Sequence, residues 1–367
     1  MRIDFGSIRH LHVADGDGVS PGVLGGGISR WDPGTATLVS APAHELSGEP
    51  SLVAAAREAA AERLLTGWDD VLAEASAAVG PPHRIVLTCG RTLTRSTGPL
   101  HRQDFARVRV VARLADGTAA WRAVTLPDPD VTDANRDALL AAVTAPFPER
   151  AARPATPAPT LTGRPVLLRE EAACYLAHEM LGHLFEWSEA NARRVDRLGE
   201  LSPLITLTDD PAGPSYVSYT RDTEDTPVSE PTALVRDGQV LGFLRARRSG
   251  GRPTGHGRRQ DYCFPPLTRM AALRMHPGSG VTEASMVVNE VVQGRMYAER
   301  GLAELDALST AGAVRLTFRL DQVLTDGLLG VGTTTTTSVH SCGKDGQEVN
   351  VVITAPDLLV LGNARPL

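Results

Sequence analysis

His178-Glu-Met-Leu-Gly-His183 sets two imidazoles around a carboxylate, and the spacing of the histidines constrains the backbone that must carry them. The familiar zinc-protease helix holds its histidines at i and i+4, about 40° apart around the axis. Here they stand at i and i+5, and at about 100° per residue a regular helix would turn the second ring roughly 140° from the first. A single ion could not then reach both. A π-type widening, with i→i+5 hydrogen bonds, returns positions five apart to one face, and such bulges recur at functional sites. Gly182 would tolerate that distortion. The segment therefore predicts a bulged helix holding a metal.

Outward from the motif, Arg169-Glu-Glu-Ala-Ala-Cys-Tyr-Leu-Ala-His178 reads as a helix with acidic residues in its first turn, and Leu184, Phe185 and Trp187 continue an apolar surface. Before it, Arg153-Pro-Ala-Thr-Pro-Ala-Pro-Thr is too stiff and too poor in apolar residues for a core. The expected organisation is an amino-terminal domain over 1–152, a proline-rich linker over 153–165 and a carboxy-terminal domain over 166–367.

In the first part, Leu52 to Ala78 has helical periodicity and Arg84 to Thr88 is a strand-like run. Arg107 to Arg113 and Ala120 to Leu126 flank an Asp116-Gly117 turn as a hairpin, and Asp133 to Val143 is a helix capped by Thr132 or Asp133. Beyond the motif, Val235 to Phe243 reads as two strands about Asp237-Gly238. Met286 to Val292, Ala313 to Val323, Gly332 to Val339, Val349 to Thr354 and Leu358 to Leu361 are further strands. The fold class is α+β: an α/β amino-terminal domain, then a mostly antiparallel β domain carrying the metal-motif helix.

The net charge of −6 and the lack of a basic tract give no reason to expect a nucleic-acid partner. The start has no apolar h-region, and no run of apolar residues is long enough to span a membrane, so a cytoplasmic location is expected. The four cysteines, Cys89, Cys174, Cys263 and Cys342, are dispersed and form neither a C-x-x-C pair nor a disulfide framework.

A catalytic zinc takes three protein ligands and a water, so two helix histidines need a partner. Cys342, in Ser341-Cys-Gly-Lys-Asp-Gly-Gln347, is the strongest candidate. Glu186, three residues past His183, is a third ligand or a hydrogen-bond acceptor behind the metal. His340, two residues before Cys342 on the same face of an extended strand, is another potential ligand. Lys344 is the sole lysine of the chain and could hold a substrate carboxylate or fix its loop. Glu179 adjoins a ligand and suits the general base, while His256, Arg258 and Tyr262 are candidate donors to an oxyanion.

These motifs resemble the TldD/PmbA metallopeptidases, in particular the metal-bearing TldD-type subunit. The resemblance rests on HEMLGH with Glu186, Thr254-Gly-His-Gly-Arg-Arg-Gln260 with Pro266-Leu-Thr-Arg-Met270, and Cys342-Gly-Lys-Asp-Gly-Gln347. Asp209-Asp210 and Asp237-Gly-Gln-Val-Leu-Gly242 add to it, and the segments follow the family's order. It implies a zinc-dependent peptidase with one Zn2+ held by His178, His183 and Cys342 and with Glu179 as the catalytic carboxylate. It also implies peptide or peptide-like substrates and a heterodimer with a metal-free TldD/PmbA-type paralogue, a homodimer being the alternative.

The family's asparagine-containing stretch after Arg-Met is replaced here by Arg269-Met-Ala-Ala-Leu-Arg274, and the amino-terminal half is only weakly similar. Two other readings follow: a metallohydrolase adapted to a small molecule in a bacterial natural-product pathway, and a binding module with a structural metal.

Overall fold

The computed structural model describes residues 3–15, 18–32, 37–42, 67–79, 83–95, 101–113, 119–126, 131–144, 160–215, 217–260, 263–297, 300–309, 312–344 and 347–366; within 3–42 and 341–348, and at some other strand positions, it describes the backbone alone.

The amino-terminal sheet contains β1 (Ile3–Asp15), β2 (Gly18–Asp32), β3 (Thr37–Pro42), β4 (His83–Arg95), β5 (His101–Arg113) and β6 (Ala119–Leu126). Their order is β3-β2-β1-β4-β5-β6, and every pairing is antiparallel. Among the described residues, the alternation of helix and strand expected here thus takes the form of antiparallel strands crossed by two helices, without parallel βαβ units. Those helices are α1 (Trp68–Val79) and α2 (Asp133–Thr144). The Thr132 hydroxyl accepts the Asn135 N–H at 3.1 Å, so Thr132 is the cap of α2. Trp68, Leu72, Leu139, Ile85, Leu87 and Val108 form a core between helices and sheet. The helical pattern from Leu52 to residue 66, and residues 153–159 of the expected linker, lie outside the described residues.

The larger sheet begins at β7 (Leu161–Leu168), so 161–165, expected as the end of the linker, are strand. Pro165 lacks an N–H but its carbonyl accepts from Ser285, and it sits opposite Leu361. The other strands of this half are β8 (Leu207–Asp209), β9 (Thr232–Arg236), β10 (Gln239–Val240), β11 (Gly257–Arg258), β12 (Leu267–Thr268) and β13 (Ala272–Met275). They are followed by β14 (Met286–Tyr297), β15 (Leu302–Ser309), β16 (Gly312–Arg319), β17 (Leu328–Lys344) and β18 (Gln347–Pro366). β11 and β12 pair with each other, apart from the large sheet.

Strand β18 organises this half. It pairs with β17, β13, β16 and β7, and because β7 also pairs with β14, the circuit β18-β16-β15-β14-β7 closes on itself. Gly362 permits the closure, since a Cβ there would stand 2.7 Å from the ring of Phe318. The run read as strand from Ala313 to Val323 ends at Arg319. Leu320, Val323 and Leu324 instead bury one face of a short helix, Leu320–Thr325. Among the described residues no helix is long and apolar enough to cross a membrane.

Candidate metal centre

The motif lies on one helical segment, α3 (170–185), which follows β7. It runs as α-helix over Glu170–Leu176, as π-helix over Ala177–Gly182 and as α-helix again over His183–Phe185. Glu170 and Glu171 occupy the first turn, where the helix dipole favours them, and Ala172, Ala173, Cys174 and Leu176 are buried. This first part packs against β14, β17 and β18. At the far end the His183 N–H donates to the carbonyl of His178, five residues back. The widened turn brings the two imidazoles to a centroid separation of 5.0 Å at 33°. Gly182 has ordinary helical angles, φ −56° and ψ −57°, so its conformational latitude is not what the site uses. A Cβ there would meet Met270 Sδ at 2.5 Å, so it is the missing side chain that lets the π turn dock.

Ligand-competent atoms of His178, Glu179 and His183 lie within 4.8 Å of one another. His178 is 2% exposed, and its Nε2 is buried without a hydrogen-bond partner. Such an orphan costs about 1–3 kcal/mol unless something fills the position. Burial, then the neighbouring His183, His340 and Arg269, push the His178 pKa well below the ordinary imidazole value. The ring is therefore neutral and keeps the lone pair a metal needs. Two imidazoles, an adjoining carboxylate and an unsatisfied nitrogen fit a divalent cation of the zinc type.

Behind each histidine stands a polar support. His183 Nδ1 lies 3.2 Å from Glu186 Oε2, while Glu186 Oε1 accepts the Met270 N–H at 3.2 Å and Arg269 stands 3.7 Å away. Glu186 is thus placed behind His183, outside the converging set. The Asn191 side-chain amide donates to the carbonyls of both His183 and Glu186 at 2.8 Å, holding the helix end. His340, on β17, sets its Nδ1 2.8 Å from His178 Nδ1. Its Nε2 lies 3.1 Å from Glu171 Oε1, an ion-pair distance, and Ser338 Oγ donates to the other Glu171 oxygen at 2.5 Å. Burial alone would raise the Glu171 pKa, but the bonds from His340 and Ser338 outweigh it and hold the carboxyl below its usual range. The Tyr175 ring lies against both imidazoles, 6.4 Å from His178 and 5.9 Å from His340 between centroids.

Two of the expected oxyanion donors, His256 and Arg258, hydrogen-bond within the protein. His256 is fully buried, with Nε2 3.2 Å from Asp209 Oδ1 and Nδ1 2.9 Å from Thr254 Oγ1, so both ring nitrogens are engaged within the protein. Asp209 in turn accepts the N–H groups of Ala271 and Ala272 at 3.0 Å. Arg258 donates to the carbonyls of Met270 and Asn350 at 2.6 and 2.7 Å. The reason is packing: these groups tie β11 and the loop after β12 to the large sheet, which leaves His256 no N–H for a substrate.

Tyr262 lies outside the described residues, as do the side chains of Cys342 and Lys344. In backbone, Cys342 pairs with Val349 and Lys344 with Gln347, and Cys342 comes two positions after His340 in β17. Glu171, Tyr175, Asn191 and Arg269 escaped the sequence reading. For Glu171 the signal was its place seven residues before His178, two turns away on the same helix face.

Fold and centre together define an α+β protein with a candidate metal centre. Residues 162–315 match the PmbA/TldA metallopeptidase C-terminal domain, a span that includes the histidine motif and stops short of Cys342. Over 157 residues the chain is 31% identical to metalloprotease slr0863 of Synechocystis sp., covering 39% of this chain and 33% of that one. Over 227 residues it is 26% identical to a metalloprotease TldD homolog of Haemophilus influenzae, covering 53% of this chain and 46% of the relative. The chain thus spans between a third and about half the length of these curated relatives. TldE from Thermococcus kodakarensis shares the fold, with a TM-score of 0.64 at 14% identity over 99% of this chain and 96% of that one. Over residues 162–315 the chain is thus similar to the TldD/PmbA family.

Proposed function

We propose that the chain is a zinc-dependent peptidase of the TldD type that hydrolyses amide bonds in unfolded or precursor peptides. The observation that carries this reading is the convergence of His178, Glu179 and His183 on the π-widened turn. His178 and His183 would hold the ion with Cys342 as third ligand. In support, β17 passes beside the helix close enough for His340 to meet His178, and Cys342 follows two residues later.

Zinc bound there would supply a Lewis acid for the scissile carbonyl and lower the pKa of water toward about 7. Glu179, beside a ligand, accepts the proton of the attacking water and passes it to the leaving amine. Glu186 and His340 hold the two imidazoles in place. An extended peptide would bind by adding to a sheet edge near the site, and a metal-free TldD/PmbA-type paralogue is the proposed partner.

Metal analysis of the purified protein tests the reading. One equivalent of zinc is expected in the wild type and a loss of it in His178→Ala and in Cys342→Ala. Full occupancy in Cys342→Ala would remove the cysteine from the ligand set, and no stoichiometric metal in the wild type would end the proposal.

A further inference from the structure

We propose that Asp209 is a positioning residue for the metal centre, acting through the segment 269–272, which holds the histidine helix at Gly182 and at Glu186. This rests on the metal-site reading above and adds to it a group outside the motif. Asp209 belongs to β8 and touches neither histidine of the motif by any recorded bond; its reach is through backbone.

The segment is buried, so each of its backbone polar groups needs a partner within the protein. The Arg269 N–H donates to the His256 carbonyl at 3.0 Å and the Met270 N–H to Glu186 Oε1 at 3.2 Å. The next two N–H groups, of Ala271 and Ala272, go to Asp209 Oδ2 and Oδ1 at 3.0 Å each. Successive N–H groups of an extended strand point to opposite edges, so one carboxylate takes two neighbours only where the chain bends. It bends at Ala271, just before β13. The carbonyls are fixed as well: Met270 accepts from Arg258 at 2.6 Å, Ala271 from the Val352 N–H at 2.7 Å and Ala272 from the Asp210 N–H at 3.0 Å. Asp209 is fully buried, and His256 Nε2 stands 3.2 Å from its Oδ1.

Met270 is where this bend meets the centre. Its thioether lies against Gly182, in the widened turn between the two motif histidines. Its N–H is held by Glu186, whose other oxygen is 3.2 Å from His183 Nδ1. One residue thus contacts the turn before His183 and the carboxylate behind it, and the two bonds to Asp209 set where that residue stands. A ligand held to within about 0.5 Å depends on such support, so a bend that relaxes shifts His183 away from His178.

The test is zinc affinity by chelator competition, with the visible spectrum of the cobalt-loaded protein as a second readout. Asp209→Asn offers one amide oxygen to two N–H groups and sets its own N–H donors against the other. Loss of a group behind a ligand lowers affinity by about 10–100-fold. Asp209→Asn is expected to bind one equivalent at saturation about 10-fold more weakly and with shifted cobalt bands, which a loss of stability alone would leave in place. In a Glu186→Ala background the same substitution should do less, because the link from Met270 to His183 is already cut. Coupling is reciprocal, so zinc should slow amide exchange at 270–272 in the wild type by a comparable factor, a measurement that decides the matter even where a variant does not fold. Wild-type affinity and cobalt spectrum in Asp209→Asn, or exchange at 270–272 indifferent to zinc, would overturn the inference while leaving the zinc site standing. A wild type without stoichiometric zinc would instead fail the metal reading on which it rests.

Discussion

The His183 amide donates to the carbonyl of His178, so the two histidines are joined by the same i→i+5 bond that brings their side chains together. Sequence spacing and backbone distortion are one feature here, and the motif holds its shape only while the turn stays widened.

Gly182→Ala tests what seats that turn. The added methyl would overlap Met270 Sδ and Cε at 2.5 and 2.6 Å, and overpacking of this kind costs about 1–3 kcal/mol. In a Met270→Ala background the same substitution should be nearly neutral, and a double-mutant cycle by urea denaturation measures the coupling. Additive effects of the two changes would show that the glycine serves something other than this contact.

Glu179→Gln should keep the zinc and lose the chemistry. A general base typically contributes 10²–10⁴-fold, so cleavage of an unfolded peptide is expected to fall by about that factor at unchanged metal content. Activity within a few-fold of wild type would reject Glu179 as the base.

Glu186→Gln should be costly to stability. The carboxylate and Arg269 are 1% and 2% exposed and 3.7 Å apart, and removing one charge of a buried pair costs about 3–5 kcal/mol. A change below about 1 kcal/mol in the metal-free protein would mean that the guanidinium is satisfied without it.

Asp222 should imprint a pH dependence. Burial, only partly offset by backbone N–H donors, raises its carboxyl from 3.8 to about 6. A raised folded value means the unfolded chain releases its proton first, so the contribution is complete below about pH 4 and is lost as pH climbs to about 6. The full loss is about 3 kcal/mol. Urea midpoints at pH 4 and 7, compared between wild type and Asp222→Asn, should show that slope in the wild type alone.

What the sequence made legible were the features written in short spacings. The i/i+5 histidines required a π turn, and Asp237-Gly238 required the tight hairpin that its φ values of 48° and 79° now display. What it hid depends on partners far along the chain. Pro356 and Asp357 read as a break between two strands, yet β18 runs through them because β17 has an irregularity between Val331 and Thr335 that accommodates the proline. The β-branched Val323 suggested strand, but the packing of Leu320 and Leu324 beside it selects a helix. His340 and His178 are 162 residues apart, and no local pattern announces that their nitrogens touch.

The sheet circuit gives the centre an order of assembly. Strand β18 bonds to four neighbours and supplies the partner of β17, on which His340 rides. A nascent chain halted before residue 347 can wind the histidine helix but has no lattice to press the second imidazole against it. The two rings come together only after that strand has left the ribosome, so a half-made copy of the protein lacks the contact between His340 and His178.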